Sequence, residues 1–424
     1  MDKTLKNIVI LGGGTAGTMI ANRLRQHKDR YGFSITVIDK DNEHYYQPGF
    51  LFIPFGIYSA HNVKQSRRQY IPSDITYLQS SIERIDHATN CVILDNQIAY
   101  AYDILIIATG AHIAPEQVPN LSGERYHKVI HDFYTFEGAC ALRDTLMNWQ
   151  GGKLVVHIAE MPIKCPVAPL EFTFLADDFF KKKGIRDKVE ITYVTPLSGA
   201  FTKPQASHTL GSMLGDRSVN LVPDFAVAEI DATQNLLRSY DEKTVPFDLL
   251  VTIPPNMGDS LIARSGLGDE MNFVPADKHT LQAIGHENIF VIGDATNVPA
   301  SKAGSVAHFE AEVLEQNILH YLKGEPLTES FDGHANCFVE AGKGKALLID
   351  FNYDVEPLPG VFPFPLVGPL RLLKPSYFNH LGKLAFRYIY WNILMKGKSI
   401  PFVGAHLSMQ GKQVPKVEQP TPSA

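Results

Sequence analysis

Cysteine is scarce in this chain: four residues in 424, none spaced as C-x2-C or C-x4-C. That excludes a disulfide scaffold, a structural zinc site and the adjacent dithiol of ordinary disulfide reductases, and no metal is expected. No apolar run approaches the ~18 residues that span a bilayer. Strong charge of either sign is also missing. The formal net charge is −6, with charged residues at 20% and apolar residues at 45%, which speaks against general nucleic-acid binding, disorder, collagen and coiled coil. The length suits two or three domains. Acid is absent from one region: residues 357–416 hold Arg371, Lys374, Lys383, Arg387, Lys396, Lys398, Lys412 and Lys416 and no Asp or Glu. An acidic body therefore ends in a basic, aromatic tail.

What is present begins at the N-terminus. Asn7 to Leu11 is an apolar strand pattern that leads into Gly12-Gly13-Gly14-Thr15-Ala16-Gly17. Thr18 to Arg25 has helical spacing, and Ser34 to Ile38 is a second strand ending in Asp39 and Lys40. No cleavage site follows the first run, so a cytoplasmic protein body is expected. Gly12, Gly14, Ala16 and Gly17 form a dinucleotide fingerprint in its required strand–helix setting. Gly12 permits the turn, Gly14 lets the backbone approach a pyrophosphate and Gly17 lets the helix pack on the strand. Asp39 stands where an acid meets ribose hydroxyls. Two later strands end near the same ligand: Asp103 to Ile107, followed by Ala108-Thr109-Gly110, and Asn288 to Ile292, followed by Gly293-Asp294. Asp294 is placed to accept hydrogen bonds from a ribityl chain.

The middle of the chain repeats the pattern with one change. Lys153–Ala159 reads as a strand, Pro169–Lys183 as a helix stopped by Gly184, and Val189–Thr195 as a strand. The turn between the first two, Glu160-Met-Pro-Ile-Lys-Cys165-Pro-Val, contains no glycine. Two prolines and bulky side chains prevent close backbone approach to a pyrophosphate. The expectation is a domain that has lost nicotinamide binding and carries Cys165 at a helix N-terminus, where the dipole and Lys164 should lower the thiol pKa. Cys337 reads as an ordinary strand cysteine. Cys91, in a strand, and Cys140, in the helical pattern Phe136–Trp149, read as core.

In the tail, Phe378, Leu381, Leu384, Ala385, Tyr388, Ile389, Ile393 and Met395 fill one helical arc over residues 378–395. Asn379, His380, Lys383 and Arg387 lie opposite, with Tyr390 and Trp391 at the border. This is the profile of a helix in a membrane interface. Pro363–Pro375 is a second apolar, basic stretch too broken for a long helix. Together they suggest a monotopic attachment plate over 363–411.

The segments around Cys165 (KCPVAPLEFTFLADDFF), from Gly293 (GDATNVPASKAGSVAHFEAE) and around Cys337 (ANCFVEAGKGKA) resemble the sulfide:quinone oxidoreductases, relatives of flavocytochrome c sulfide dehydrogenase and type II NADH dehydrogenases. The resemblance covers nearly the whole chain. It implies an α/β fold of two Rossmann-like domains plus a C-terminal quinone and membrane region. The limits drawn are 1–115 with 275–325 for the FAD domain, 116–274 for the degenerate domain and 326–424 for the tail. It implies that Cys165 and Cys337 are redox cysteines flanking a flavin, that Glu171 is an acid near them, and that Phe338, Lys383 and Phe386 are quinone-pocket residues. Glu171 and Lys383 are then the candidates to relay protons. Pro48, Lys302 and Gly304 fall in flavin-contacting segments. His127–Phe133 lacks the third cysteine many members carry, and Asp39–Phe50 has none. Non-covalent FAD and a sulfur chain carried by two cysteines follow. The expected partners are sulfide, quinone and the membrane surface, with a homo-oligomer admitted. The protein would be peripheral, its body on the cytoplasmic side. Two alternatives stay open: NADH:quinone oxidoreduction, and a non-catalytic membrane-bound redox sensor. A protein partner for the tail is a third possibility.

Overall fold

The computed structural model describes residues 5–414. Lys416 lies outside the described residues. Two five-stranded parallel sheets form its frame. In the first the strand order is Ile289–Val291, Ile104–Ile107, Lys6–Leu11, Phe33–Asp39, Thr76–Gln79. Ile8 to Leu11 and Ile104 to Ile107 are all fully buried, as strands covered on both faces require. In the second the order is Ile130–His131, Leu249–Ile253, Gly152–Ile158, Val189–Val194, Val219–Val222. Each sheet carries a glycine-free or glycine-rich turn into a helix from one inner strand, and those turns bring the ligand-facing residues to the carboxyl ends of the strands.

Four helices position the site: α1 (Thr15–Arg25), α2 (Ala168–Lys183), α3 (Gly304–Lys323) and α4 (Tyr377–Asn392). Helix α1 starts at Thr15, three residues before the periodic pattern predicts, because the glycine turn feeds straight into it with Gly14 as N-cap. Helix α2 ends at Gly184 in the left-handed conformation after Lys181, Lys182 and Lys183, a C-terminus that suits the helix dipole. A four-stranded sheet ordered Ala335–Glu340, Ala346–Phe351, Leu370–Leu372, Gly360–Phe362 follows α3. In its first, antiparallel pair Cys337 lies opposite Ile349.

Helix α4 packs on this sheet with its polar arc inward and much of its apolar arc outward. Asn379 is fully buried and Lys383 is 8% exposed, while Phe378 is 59% and Tyr388 68% exposed. Tyr390 and Trp391 are buried as well. The polar arc faces the protein because buried acceptors wait there: Asn379 bonds the backbone of Arg371 and Lys374, and Lys383 meets a buried carboxylate described below. Cys91 and Cys140 are both half-buried rather than core. No described helix is long and apolar enough to cross a membrane.

Candidate active site

A cavity of about 960 Å3 runs from the first glycine turn to the face of α4, the upper end of the roughly 300–1,000 Å3 typical of ligand sites. At one end it is lined by Gly12, Gly14, Ala16, Asp39, Lys40, Pro48, Ala108, Thr109 and Gly110. Gly293, Asp294, Lys302 and Gly304 follow, and at the far end stand Cys165, Glu171, Cys337, Phe338, Lys383 and Phe386. Of the residues singled out from sequence, Gly17 alone does not reach it. A Cβ on Gly17 would stand 1.8 Å from the Gly12 carbonyl oxygen, so its part is helix-to-turn packing.

The glycine end is built to receive phosphate. Gly12 has φ +94 and a Cβ there would meet the Ala108 carbonyl at 2.5 Å, whereas one on Gly14 meets nothing within 4 Å. The N-terminus of α1 has no side-chain cap, so its first N–H groups remain for an anion. Asp39 accepts from the Gly13 N–H at 2.7 Å and the Asp41 N–H at 2.8 Å and is ion-paired with buried Arg67. Arg67, which also donates to the Asp41 and Glu43 carbonyls at 2.8 Å, escaped the sequence reading, as no motif marks it. Above this turn Tyr390 of α4 links Thr15 Oγ1 at 2.6 Å to His44 Nε2 at 2.7 Å. These features fit a flavin dinucleotide: an open glycine approach, an uncapped helix start and an acid beside it.

Further in, α3 also starts without a side-chain cap. Lys302 Nζ donates to the carbonyls of Asp294 at 3.0 Å and Thr296 at 2.6 Å and lies 3.9 Å from the centre of the Phe273 ring. Its ammonium is thus held by its own loop while its stem lines the cavity. Burial raises the pKa of Asp294, against the pull of Lys302 and Lys164. The Lys164 ammonium reaches Gln47 Oε1 at 3.3 Å.

Part of the second turn's backbone is engaged inside the protein. The Lys164 N–H goes to Asn256 Oδ1 at 2.9 Å, the Cys165 N–H to the Lys302 carbonyl at 2.7 Å and the Ala168 N–H to the Cys165 carbonyl at 2.8 Å. Ile163 and Val167 are buried. Cys165 itself has φ +44, a left-handed conformation rare for a side-chain-bearing residue, and Tyr134 Oη donates to its carbonyl at 3.1 Å. Cys165 lines the cavity, which Cys337 reaches from the four-stranded sheet. Ser305, at the start of α3, donates to the Asn336 carbonyl at 2.8 Å and fixes that strand. Both thiols are free.

Cys165 is not acidified as its helix position predicts. Burial pushes Cys165 far up and the Glu171 carboxylate adds to this, with Lys383 working the other way. Burial likewise pushes Cys337 up to about 11, again opposed by Lys383. A helix N-terminus is worth about 0.3–1 kcal/mol near the surface, less than the cost of desolvating a thiolate. Glu171 is fully buried. Its Oε1 accepts from Lys383 Nζ at 2.8 Å and from the Glu340 N–H at 2.7 Å, while Oε2 has no partner. Burial raises its pKa despite Lys383. Lys383 Nζ also donates to the Phe338 carbonyl at 2.9 Å. Burial opposes its charge, but Glu171 and Cys165 outweigh that and hold the proton on.

Two Rossmann-type sheets, a glycine turn at one and a cysteine turn at the other define an oxidoreductase of the two-dinucleotide-domain class. Residues 6–311 match the family model described as pyridine nucleotide-disulphide oxidoreductase, and the chain belongs to that family. It is 28% identical over 402 residues to a mitochondrial sulfide:quinone oxidoreductase of Dictyostelium discoideum, covering 93% of this chain and 87% of that one. The mouse mitochondrial sulfide:quinone oxidoreductase is 25% identical over 404 residues, covering 93% and 88%. The solved sulfide:quinone oxidoreductase of Aquifex aeolicus superposes with a TM-score of 0.76 at 21% identity, over 93% of this chain and 92% of that one.

Proposed function

We propose that the chain oxidises sulfide and passes two electrons through non-covalent FAD to a membrane quinone. The observation that carries this is the meeting of Cys165 and Cys337, from distant parts of the sequence, in one cavity with the glycine turn and the Glu171–Lys383 pair. When bound, FAD supplies a two-electron relay between sulfur and quinone. The absence of cysteine from Asp39–Phe50 supports non-covalent attachment.

In the oxidised enzyme the two cysteines are bridged. With both cysteine sulfurs tied up in the bridge, the attacking nucleophile is the arriving hydrosulfide. It bonds to one bridge sulfur, the S–S bond breaks, one cysteine becomes a persulfide and the other leaves as thiolate. Closing persulfide and thiolate into a longer bridge then releases one proton and two electrons. Lys383 favours the transient anion, since its charge lowers both thiol pKa values. At the other side of the site Phe338 and Phe386 offer apolar walls to a quinone ring, and the unpartnered Glu171 Oε2 with Lys383 Nζ handles the proton at its oxygen. NADH is disfavoured as donor by the second turn, which has no glycine and whose Lys164 and Cys165 N–H groups are already engaged.

A lipid-soluble acceptor requires access to the bilayer. Phe364, Leu366, Val367, Phe378, Leu381 and Phe402 are exposed apolar side chains, with exposed Arg371, Lys374, Lys396 and Lys398. The whole stretch is free of acid. We assign this face to an anionic membrane surface, each nearby cation contributing about 1 kcal/mol. Intact protein should float with phosphatidylserine vesicles, and the pair Leu366→Asp and Phe402→Asp should stay at the bottom of the gradient. The enzymatic reading is tested by anaerobic sulfide titration of the flavin-loaded protein. Bleaching of the flavin and its recovery on adding a short-chain quinone are expected; a flavin indifferent to sulfide overturns it.

A further inference from the structure

Glu340 is a fully buried carboxyl that the sulfur chemistry does not use. It ends the strand that carries Cys337 and lies outside the cavity wall. Its N–H donates to Glu171 Oε1 at 2.7 Å, and its carboxylate accepts from His380 Nδ1, 2.9 Å from Oε1 and 3.1 Å from Oε2. The His380 side chain is 19% exposed. From cavity to surface the order is therefore the Glu171–Lys383 pair, then Glu340, whose backbone touches Glu171, then His380. We propose that Glu340 and His380 form a proton conduit that refills the Glu171–Lys383 pair from outside the protein while quinone is reduced. The proposal rests on the quinone reading of this cavity.

The charge balance within the cluster supports it. Glu340 faces His380 and Lys383 on α4 and Glu171 on α2, and the phenol of Tyr58 feels its charge. Arg387, farther along α4, is spread over the Tyr58 ring at 4.5 Å. One ammonium, that of Lys383, cannot neutralise two buried carboxylates. The second negative charge must be met by a proton, carried on a carboxyl or on the imidazole. Burial pushes Glu340 up to about 6, so this proton is exchangeable in the working range of pH. Quinone takes up two electrons and two protons to become quinol, and a proton withdrawn from the Glu171–Lys383 pair has to be replaced. A partly exposed imidazole, joined by short hydrogen bonds to a buried carboxyl beside that pair, supplies it without opening the cavity to bulk water.

Two His380 variants separate conduction from mere architecture. His380→Gln retains a hydrogen-bond donor to Glu340 and conducts no proton; His380→Ala removes both. Both should lower quinone-dependent kcat by about tenfold or more, with KM for quinone and sulfide bleaching of the flavin within about twofold of wild type. Millimolar imidazole should restore His380→Ala. Infrared spectra of the substrate-free protein should show a protonated-carboxyl band that titrates near pH 6 and vanishes in Glu340→Gln. Full activity of His380→Gln, or failure of imidazole to restore His380→Ala, overturns the conduit. Absence of quinone reduction in the wild-type protein would instead overturn the functional reading beneath it.

Discussion

The two strand-to-helix turns of this molecule start from the same architecture and end in opposite surfaces. The first, Gly12–Gly17, leaves the approach to its backbone open at Gly14. The second, Glu160–Val167, has buried Ile163 and Val167 and given the N–H groups of Lys164 and Cys165 to internal acceptors. One offers backbone to a ligand and the other offers a sulfur. A turn of this kind can hold a phosphate or aim a side chain, and the glycine content decides between them, since only a turn without Cβ atoms lets main-chain donors reach the ligand.

Filling the first turn should have the largest effect. A Cβ on Gly17 would sit 1.8 Å from a backbone oxygen, with no flexible side chain to yield, so α1 must move off its strand. Gly17→Val is expected to purify without flavin, its absorbance ratio at 450 and 280 nm near that of a colourless protein. Normal flavin content would break the comparison at its root.

At the second turn the sulfur carries the function, so Cys165→Ser should keep both fold and flavin while sulfide-dependent quinone reduction falls by about 10³-fold. Cys337→Ser should match it. A variant of either position that keeps full turnover removes the cysteine pair from the mechanism. The same contrast predicts the response to NADH: with two prolines and bulky side chains where glycine would admit a pyrophosphate, anaerobic NADH should bleach the flavin about 10²-fold more slowly than sulfide does. Equal rates would mean that the second turn still serves a pyridine coenzyme.

Much of the first turn and of the Cys165 loop was legible because their signals are local. Glycines at fixed spacing, a strand before and a helix after need no knowledge of the rest of the chain. What the sequence concealed depends on partners remote in the chain. The periodicity of α4 reveals two faces but not which one meets the protein. The answer lies in Glu171, more than 200 residues earlier, whose buried oxygen claims Lys383. Arg67 beside Asp39, Tyr390 above Thr15 and His380 against Glu340 are pairs of the same kind. The Cys165 pKa departs from the sequence expectation for a related reason: the helix start is visible in sequence, whereas the desolvation that outweighs it comes from the assembled walls.

The smallest effect tests how the first turn is tied down from above. His44 is buried, bonded through Nε2 to Tyr390, which in turn holds Thr15. Burial, aided by the charge of Arg67, lowers its pKa to about 3. In the unfolded chain a histidine takes up a proton below about pH 6.5, while folded His44 stays neutral until far lower pH. The unfolded state thus binds more protons in that interval, and stability falls as pH drops from 6.5 toward 3. Between pH 6.5 and 5 this one group should cost about 2 kcal/mol. His131, His157 and His308 are also held neutral by burial and steepen the acid limb of the wild type, so the informative quantity is a difference. His44→Gln keeps a hydrogen-bonding amide near Tyr390 without titrating. Its stability, followed by urea unfolding at pH 6.5 and pH 5, should decline less than that of the wild type by about that 2 kcal/mol, and identical declines would show that His44 does not stay neutral beneath the turn.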